Sequence, residues 1–448
     1  MSGFFTAVIS VAVILGFMIL IHEFGHFAVA KLLGVRVEQF AIGFGKRLVG
    51  FRRGETEYRI NAIPLGGYVK MSGENPMDER SGDPREFLSH SRWHRFLIAI
   101  AGPSMNLMLA VALLTGVYMV HDESPAVLDE PAVIGWVTPN TPAAKAGIQP
   151  GDRIVRIDDI QNPTWAQMVP KEALSPNQPL QITVEHAGQI EQKTIVPEVY
   201  GVNQIGSAGW VPKQPDLTIT ALEAGMPAER AGIKLGDKMI ALNGQSFFSL
   251  QAMIESLNQT KDQPVAITVL RQGEPITFTV RPVLADTDEP GEKRYRVGIG
   301  SEPMKVTSLP FAAAFSKSVK ASKENSLVIL ELVRKMIERK ISMRSLDGPI
   351  GIAVATGRAA SEKGWTPLMK LSSMISLNLG VVNLLPIPIL DGGVILLLFI
   401  ESLMQRDISL AIKERIYQAA FVFLVLFAVV VIYNDLAKTL PGMMQRLP

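Results

Sequence analysis

The sequence predicts a polytopic α-helical membrane protein with four transmembrane helices and two tandem soluble α+β domains between the second and third. Three observations predict it. Nearly uninterrupted apolar blocks lie at the two ends of the 448-residue chain, while the middle has ordinary globular composition. Within that middle, two stretches are related by a constant offset (227 − 142 = 85). Three ionisable side chains, His22, Glu23 and His26, then close a first apolar block that carries no charge before them. A charge at the centre of a spanning helix costs roughly 2.5–3.5 kcal/mol on insertion scales, so that placement calls for a function.

Composition narrows the function classes. A net charge of +2, with no long basic or aromatic-interleaved patch, gives no basis for nucleic-acid binding. The chain has no cysteine, which excludes disulfides and thiolate ligands, so a transition-metal site must use His, Asp or Glu. The N-terminal block lacks a basic flank and a small-residue cleavage site, so it reads as a span and not as a cleaved signal peptide.

The first span, residues 1–30, is long enough for a bilayer core of about 30 Å. Residues 31–95 carry twelve Lys or Arg and none precedes the first span, which places this loop in the cytoplasm and the N-terminus outside. In the loop, Gly43-Phe44-Gly45 and Asn61 to Val69, including Gly66 and Gly67, predict short strands with tight turns. A sheet re-entering the membrane beside the first helix and a packed cytoplasmic hairpin both fit. The second span, residues 96–120, contains Gly102-Pro103-Ser104-Met105-Asn106. Small residues there permit close helix approach, and Asn106 has the chemistry to hydrogen-bond a neighbour.

Two domains follow, residues 126–215 and 216–304. Pro142-Ala143, Ala146-Gly147-Ile148 and Gly151-Asp152 recur as Pro227-Ala228, Ala231-Gly232-Ile233 and Gly236-Asp237. In each copy a short helix ends at Gly, and Gly-Asp turns the chain into an apolar strand. The pattern resembles the signature of bacterial PDZ domains, which implies grooves that take an extended segment or free C-terminus by strand addition. Steric blocking of access is the alternative role, and the two are compatible. Residues 305–366 form an amphipathic helical segment, with packing against the second copy the simpler expectation and membrane contact the other.

The third span, residues 371–403, is interrupted by Asn383-Leu384-Leu385-Pro386-Ile387-Pro388-Ile389-Leu390-Asp391-Gly392-Gly393. Proline removes a backbone donor, so the helix is predicted to unwind there, and Asp391 is an intramembrane carboxylate that points to function. The fourth span is residues 416–435. Arg406, Lys413 and Arg415 place the connection before it in the cytoplasm, which returns the C-terminus, and hence the tandem domains, to the outside.

His22 and His26 are four apart, so on a helix both imidazoles project from one face. Two neutral nitrogens there suit one Zn²⁺, with Glu23 beside them as general base. Asp391 is the best-placed third ligand, leaving the fourth position for water. Its rival Glu401 ends its block and reads as a solvated boundary residue. Asn383 is placed to position the substrate or its oxyanion. His90, His94, His121 and His186 read as surface or packing residues.

His22-Glu23-Phe24-Gly25-His26, the Gly102-to-Asn106 stretch and Asn383 to Gly393 together resemble the site-2 protease family of intramembrane zinc metalloproteases, over essentially the whole chain. The resemblance implies His22, His26 and Asp391 as zinc ligands and Glu23 as catalytic base. It implies substrate handling by Asn383, Pro386 and Pro388, and a re-entrant β-hairpin around Ile63 to Val69 that receives the unwound substrate as an added strand. It also implies single-span substrates in a bacterial inner membrane, such as an anti-sigma factor already trimmed outside, together with remnant signal peptides. The PDZ pair would exclude untrimmed chains by size. A membrane adaptor with a structural metal is disfavoured by Glu23, which such a site does not need. A metal transporter is disfavoured by the two folded domains and the small number of spans.

Overall fold

The computed structural model describes residues 2–74, 82–214, 217–246, 249–286, 293–301, 304–361 and 364–444. The chain forms two units, one made of Met1–Asp122, Thr307–Glu331 and Asp347–Asp435, the other of Glu123–Val306, Leu332–Leu346 and Leu436–Pro448.

The first unit begins with α1 (Ser2–Leu32), a proline-free run rich in Ile, Val, Phe and Leu that extends for about 46 Å at 1.5 Å per residue. Two long antiparallel strands follow, β1 (Val37–Arg53) and β2 (Thr56–Met71). Both strands bend. The segment from Gln39 to Ile42 pairs on one side with Gly67 to Lys70 and on the other with Glu57 to Ile60, while the end of β1 pairs with the start of β2. One hairpin thereby becomes a sheet of four segments, with Gly67–Met71 at one edge and Val49–Arg53 at the other. Ala30, Val35, Val37, Val69, Met71, Phe87 and Ile98 form the core that joins this sheet to the helices.

Helix α2 (Arg92–Val120) starts at Ser91, whose hydroxyl accepts from the His94 amide at 3.2 Å. Helix α3 (Phe311–Ile337) lays Ala314 and Ser318, both fully buried, against this helix beside Val117 and Tyr118, with Thr115 Oγ1 donating to Ser318 Oγ at 3.0 Å. Lys317 closes the contact on buried Asp122 at 2.8 Å, and Lys370 holds the other oxygen of that carboxylate at 2.8 Å. Phe311, Phe315 and Val319 remain exposed.

The remaining helices are α4 (Pro349–Ser361), α5 (Thr366–Asn383), α6 (Asp391–Met404) and α7 (Leu410–Met444). Helix α5 packs on α2 through small residues. Ser373 Oγ donates to the Ala110 carbonyl and Ser376 Oγ to that of Asn106, both at 2.8 Å. Among the described residues three helices are long and apolar enough to cross a membrane: Val11–Leu32, Arg92–Val120 and Leu410–Lys438. The stretch expected as the third span is instead the pair α5 and α6, separated at residues 384–390, and each alone is shorter than the ~20 residues a crossing needs. Pro386 and Pro388 account for the break, since neither has an amide proton to extend the helix.

The second unit contains two sheets of the same design. In the first, Arg153–Ile157 lies between Ile160–Gln161 and Leu180–His186, with Gln189–Ile195 outermost. In the second, Lys238–Leu242 lies between Gln245–Ser246 and Val265–Arg271, with Glu274–Val280 outermost. Corresponding strands start 85 residues apart (238 − 153, 265 − 180), as do the helices Trp165–Ala173 and Leu250–Thr260. Each sheet has its own core, around Ile154, Trp165 and Ile182 in one and Met239, Met253 and Ile267 in the other.

A buried carboxylate occupies the same place in both. Asp152 is met by His186, and Asp237 by Arg271 through two bonds of 2.7 Å. The Arg271 guanidinium holds the Asp237 carboxyl below the usual carboxylate range. At the end of α3, Lys335 donates to the Leu174 carbonyl at 2.7 Å and to Ser175 Oγ at 3.1 Å, just past the first copy's helix, where terminal carbonyls attract a cation.

Candidate metal centre

The site is built where α1, α2 and α6 meet inside the first unit. His22 and His26 sit one turn apart on α1, and their Nε2 atoms are 3.2 Å from each other. Asp391, the first residue of α6, reaches both: Oδ2 lies 3.1 Å from His22 Nε2 and Oδ1 lies 3.4 Å from His26 Nε2. The backbone between Leu384 and Leu390 folds back over the start of α6, where a Cβ on Gly393 would stand 2.2 Å from the Ile387 carbonyl oxygen and one on Gly392 2.3 Å from that of Leu384. Side chains there would push the loop off Asp391.

A tetrahedral centre with bonds of about 2.0–2.1 Å spaces its ligand atoms about 3.3–3.4 Å apart. The two Nε2 atoms stand close to that spacing, the Asp391 carboxylate faces each imidazole with a different oxygen, and the three residues are the group of potential metal ligands that lie within 4.8 Å of one another among the described residues. The proton bookkeeping also fits. His26 Nδ1 donates to the Ile98 carbonyl at 2.8 Å, so its Nε2 lone pair is free and faces Asp391. Two nitrogens and one oxygen, with no thiolate, form a donor set suited to zinc with one position open.

Glu23 projects beside this cluster and accepts the Val69 amide proton at 3.0 Å from the Gly67–Met71 edge of the sheet. Gly67 pairs with Ile42 on that segment, and a Cβ there would lie 3.5 Å from Glu23 Cγ. Gly66 precedes it with φ +105, a conformation glycine adopts without strain. A cavity of 590 Å³ opens from the cluster, lined by His22, Glu23, His26, Asn106, Asn383 and Asp391, and reaches Glu74, Arg95, Glu401, Lys413 and Tyr417. Asn383, the last residue of α5, is therefore at the cavity wall. Pro386 is exposed and lines a separate apolar groove with Trp93, Phe96 and Phe399, and Pro388 is half-buried in the loop.

A model of Peptidase family M50 matches residues 10–427. The chain belongs to Peptidase family M50. It is thus a zinc metalloprotease of the site-2 protease family, acting in regulated intramembrane proteolysis. Among similar proteins are Protease RseP of Yersinia pestis, 32% identical over 95% of this chain and 97% of that one. The Regulator of sigma-E protease RseP of Escherichia coli K12 is 30% identical over 98% of this chain and 100% of that one. That of Salmonella typhimurium strain 14028s is 31% identical over 95% and 97% respectively.

Some features of this M50 protease had no signal in the sequence. Gly102 read as a packing residue, yet a Cβ on it would stand 2.2 Å from His26 Nε2, so its bare backbone is what makes room for the imidazole. Glu401, expected at a solvated boundary, is 1% exposed, held by Lys413 Nζ at 2.6 Å and accepting the Ile408 amide at 3.0 Å. The lysine that neutralises it lies on the next helix, beyond the reach of any local pattern. His90 and His94 face each other with Nδ1 atoms 3.2 Å apart at the start of α2.

Proposed function

We propose that this protease hydrolyses peptide bonds within the transmembrane segments of single-span proteins, using His22, His26 and Asp391 to hold zinc and Glu23 as general base. The observation that carries the reading is the His22–His26–Asp391 cluster facing a cavity beside Glu23, whose carboxylate holds the edge of the sheet. When bound there, zinc supplies Lewis acidity that polarises the scissile carbonyl and acidifies the attacking water. Glu23 takes the proton that the water loses as the carbon–oxygen bond forms, and returns it to the amide nitrogen as the carbon–nitrogen bond breaks.

The substrate enters unwound. Gly67–Met71 has a strand on one flank only, and on the other its Val69 and Met71 amides are held by the Glu23 and Glu74 carboxylates; strand addition along it exchanges those partners for substrate carbonyls, with Gly66 and Gly67 keeping the approach narrow. Asn383 positions the chain or its oxyanion from the cavity wall, and Pro386 and Pro388 keep the α5–α6 connection unwound as a substrate guide. The α5–α6 pair serves as a fourth crossing, which puts both termini and the tandem domains in the periplasm and the metal near the cytoplasmic side of the inner membrane. Residues 126–215 and 216–304 act as PDZ-like domains that exclude untrimmed substrates by size. The names of the relatives, regulators of sigma E, favour an anti-sigma factor as substrate; the family resemblance adds its prior trimming and remnant signal peptides as a second class.

The test replaces Glu23 with Gln and follows a co-expressed single-span substrate, with and without a bulky outer domain, while bound zinc is measured. The reading requires that the wild type cleave only the trimmed form and that the variant cleave neither while keeping its zinc. Undiminished cleavage by Glu23→Gln would sink it.

A further inference from the structure

Asn106 lies on α2 with no exposed surface, and its side-chain nitrogen stands 3.3 Å from His22 Nδ1. Its backbone carbonyl is taken by Ser376, but its side-chain oxygen is buried with no partner. A buried amide oxygen left without a donor is destabilising. A second mismatch sits beside it. A histidine that binds a cation through Nε2 carries its proton on Nδ1 and must donate it, whereas here an amide NH₂ is turned toward that nitrogen. If the NH₂ donated, the His22 proton would move to Nε2 and block the lone pair that faces Asp391.

One operation gives the oxygen its partner and corrects the contact with His22. The oxygen and nitrogen of an amide are equivalent in shape, so a half-turn about the last side-chain bond exchanges them without moving another atom. The oxygen then accepts from His22 Nδ1, as the Ile98 carbonyl accepts from His26 Nδ1. Both imidazoles then share one tautomer, with both Nε2 lone pairs aimed at one point.

We propose that Asn106 is a positioning residue of the metal centre: its amide oxygen fixes the tautomer and ring orientation of His22. The Ser376 bond to its backbone extends the same support to α5. This inference rests on the assignment of His22 as a zinc ligand.

The experiment measures zinc affinity of the purified full chain by chelator competition, and the visible spectrum of the cobalt-substituted protein, for wild type, Asn106→Leu, Asn106→Ala, Asn106→Asp and His22→Ala. Leucine keeps the volume and removes the acceptor, and should weaken zinc about 10–100-fold and perturb the cobalt bands. Aspartate keeps an acceptor and should hold zinc at least as tightly as the wild type. Should Asn106→Leu fail to fold, Asn106→Ala against Asn106→Asp carries the same comparison. If the variants lacking the acceptor stay within twofold of wild type while His22→Ala loses zinc, Asn106 has no positioning role. Equal weakening by Asp, Leu and Ala would make the residue a packing element only. Retention of zinc by His22→Ala would instead overturn the ligand assignment itself.

Discussion

Replacing Gly102 with alanine puts a methyl group into the space of His26, a proposed metal ligand. The new Cβ would stand 2.2 Å from His26 Nε2, 2.6 Å from Cε1 and 2.8 Å from Cδ2, all inside the 3.4 Å at which ordinary contact begins. Either the ring withdraws by at least 1.2 Å (3.4 − 2.2) or α1 and α2 separate by a comparable amount. The imidazole cannot rotate freely, because the Ile98 carbonyl holds its other nitrogen at 2.8 Å. Functional constellations tolerate about 0.5 Å of error, and a displacement of about 1 Å is worth roughly 10²-fold in rate. Gly102→Ala should therefore lose about a hundredfold or more in cleavage of a trimmed substrate, and should bind zinc more weakly. Overpacking should add a stability loss of about 1–3 kcal/mol. Zinc content, chelator competition and the initial cleavage rate measured on one preparation separate these effects. A variant with undiminished zinc affinity and rate would show that the α1–α2 contact relaxes at no cost, and would refute the argument that this glycine makes the pocket for His26.

Two further outcomes follow from charged pairs elsewhere. Glu401→Leu strands Lys413 in the cavity wall and should cost about 3–5 kcal/mol, whereas the double replacement Glu401→Leu, Lys413→Met should recover most of that loss; simple additivity in chemical denaturation would contradict the pairing. In the second unit, the contribution of the Asp237–Arg271 pair is fully present above the unfolded aspartate value of about 3.9 and is lost as pH falls through the lower value of the folded state. Arg271→Leu should lower stability near neutral pH and change it little in strong acid, read from amide exchange in Lys238–Leu242 and Val265–Arg271 between pH 2 and 7. An equal deficit at both ends of that range would rule out the ionised carboxylate as the source.

What the sequence made legible was whatever repeats or stays local. The i, i+4 placement of His22 and His26 is a local fact of helical geometry, and the 85-residue offset that matches Gly151-Asp152 to Gly236-Asp237 is also the offset between the strands of the two sheets. The prolines at 386 and 388 carry their own backbone chemistry, so the interruption at 384–390 was readable. The division of that stretch into two short helices, neither able to cross alone, was a matter of length that its overall hydrophobicity concealed. Contacts between distant elements left no comparable trace. Gly102 under His26, Asn106 against His22 and Lys413 on Glu401 each depend on how two helices cross, and no periodicity records a crossing.

The two borders of the hairpin sheet differ in a way that bears on self-association. Any strand with a free flank can recruit another chain, and here one border, Val49–Arg53, carries Arg52 and Arg53, with Arg47 just before it tied to Glu57 and to the Gly50 carbonyl. Two copies meeting along that border would bring like charges together, which discourages pairing. The opposite border has no such guard along Gly67, Tyr68 and Val69, and it runs beside Glu23 within the protein's interior. Discouraged pairing along one border, and access to the other, which the proposed strand addition would use, thus come from the same asymmetric placement of arginine and glycine.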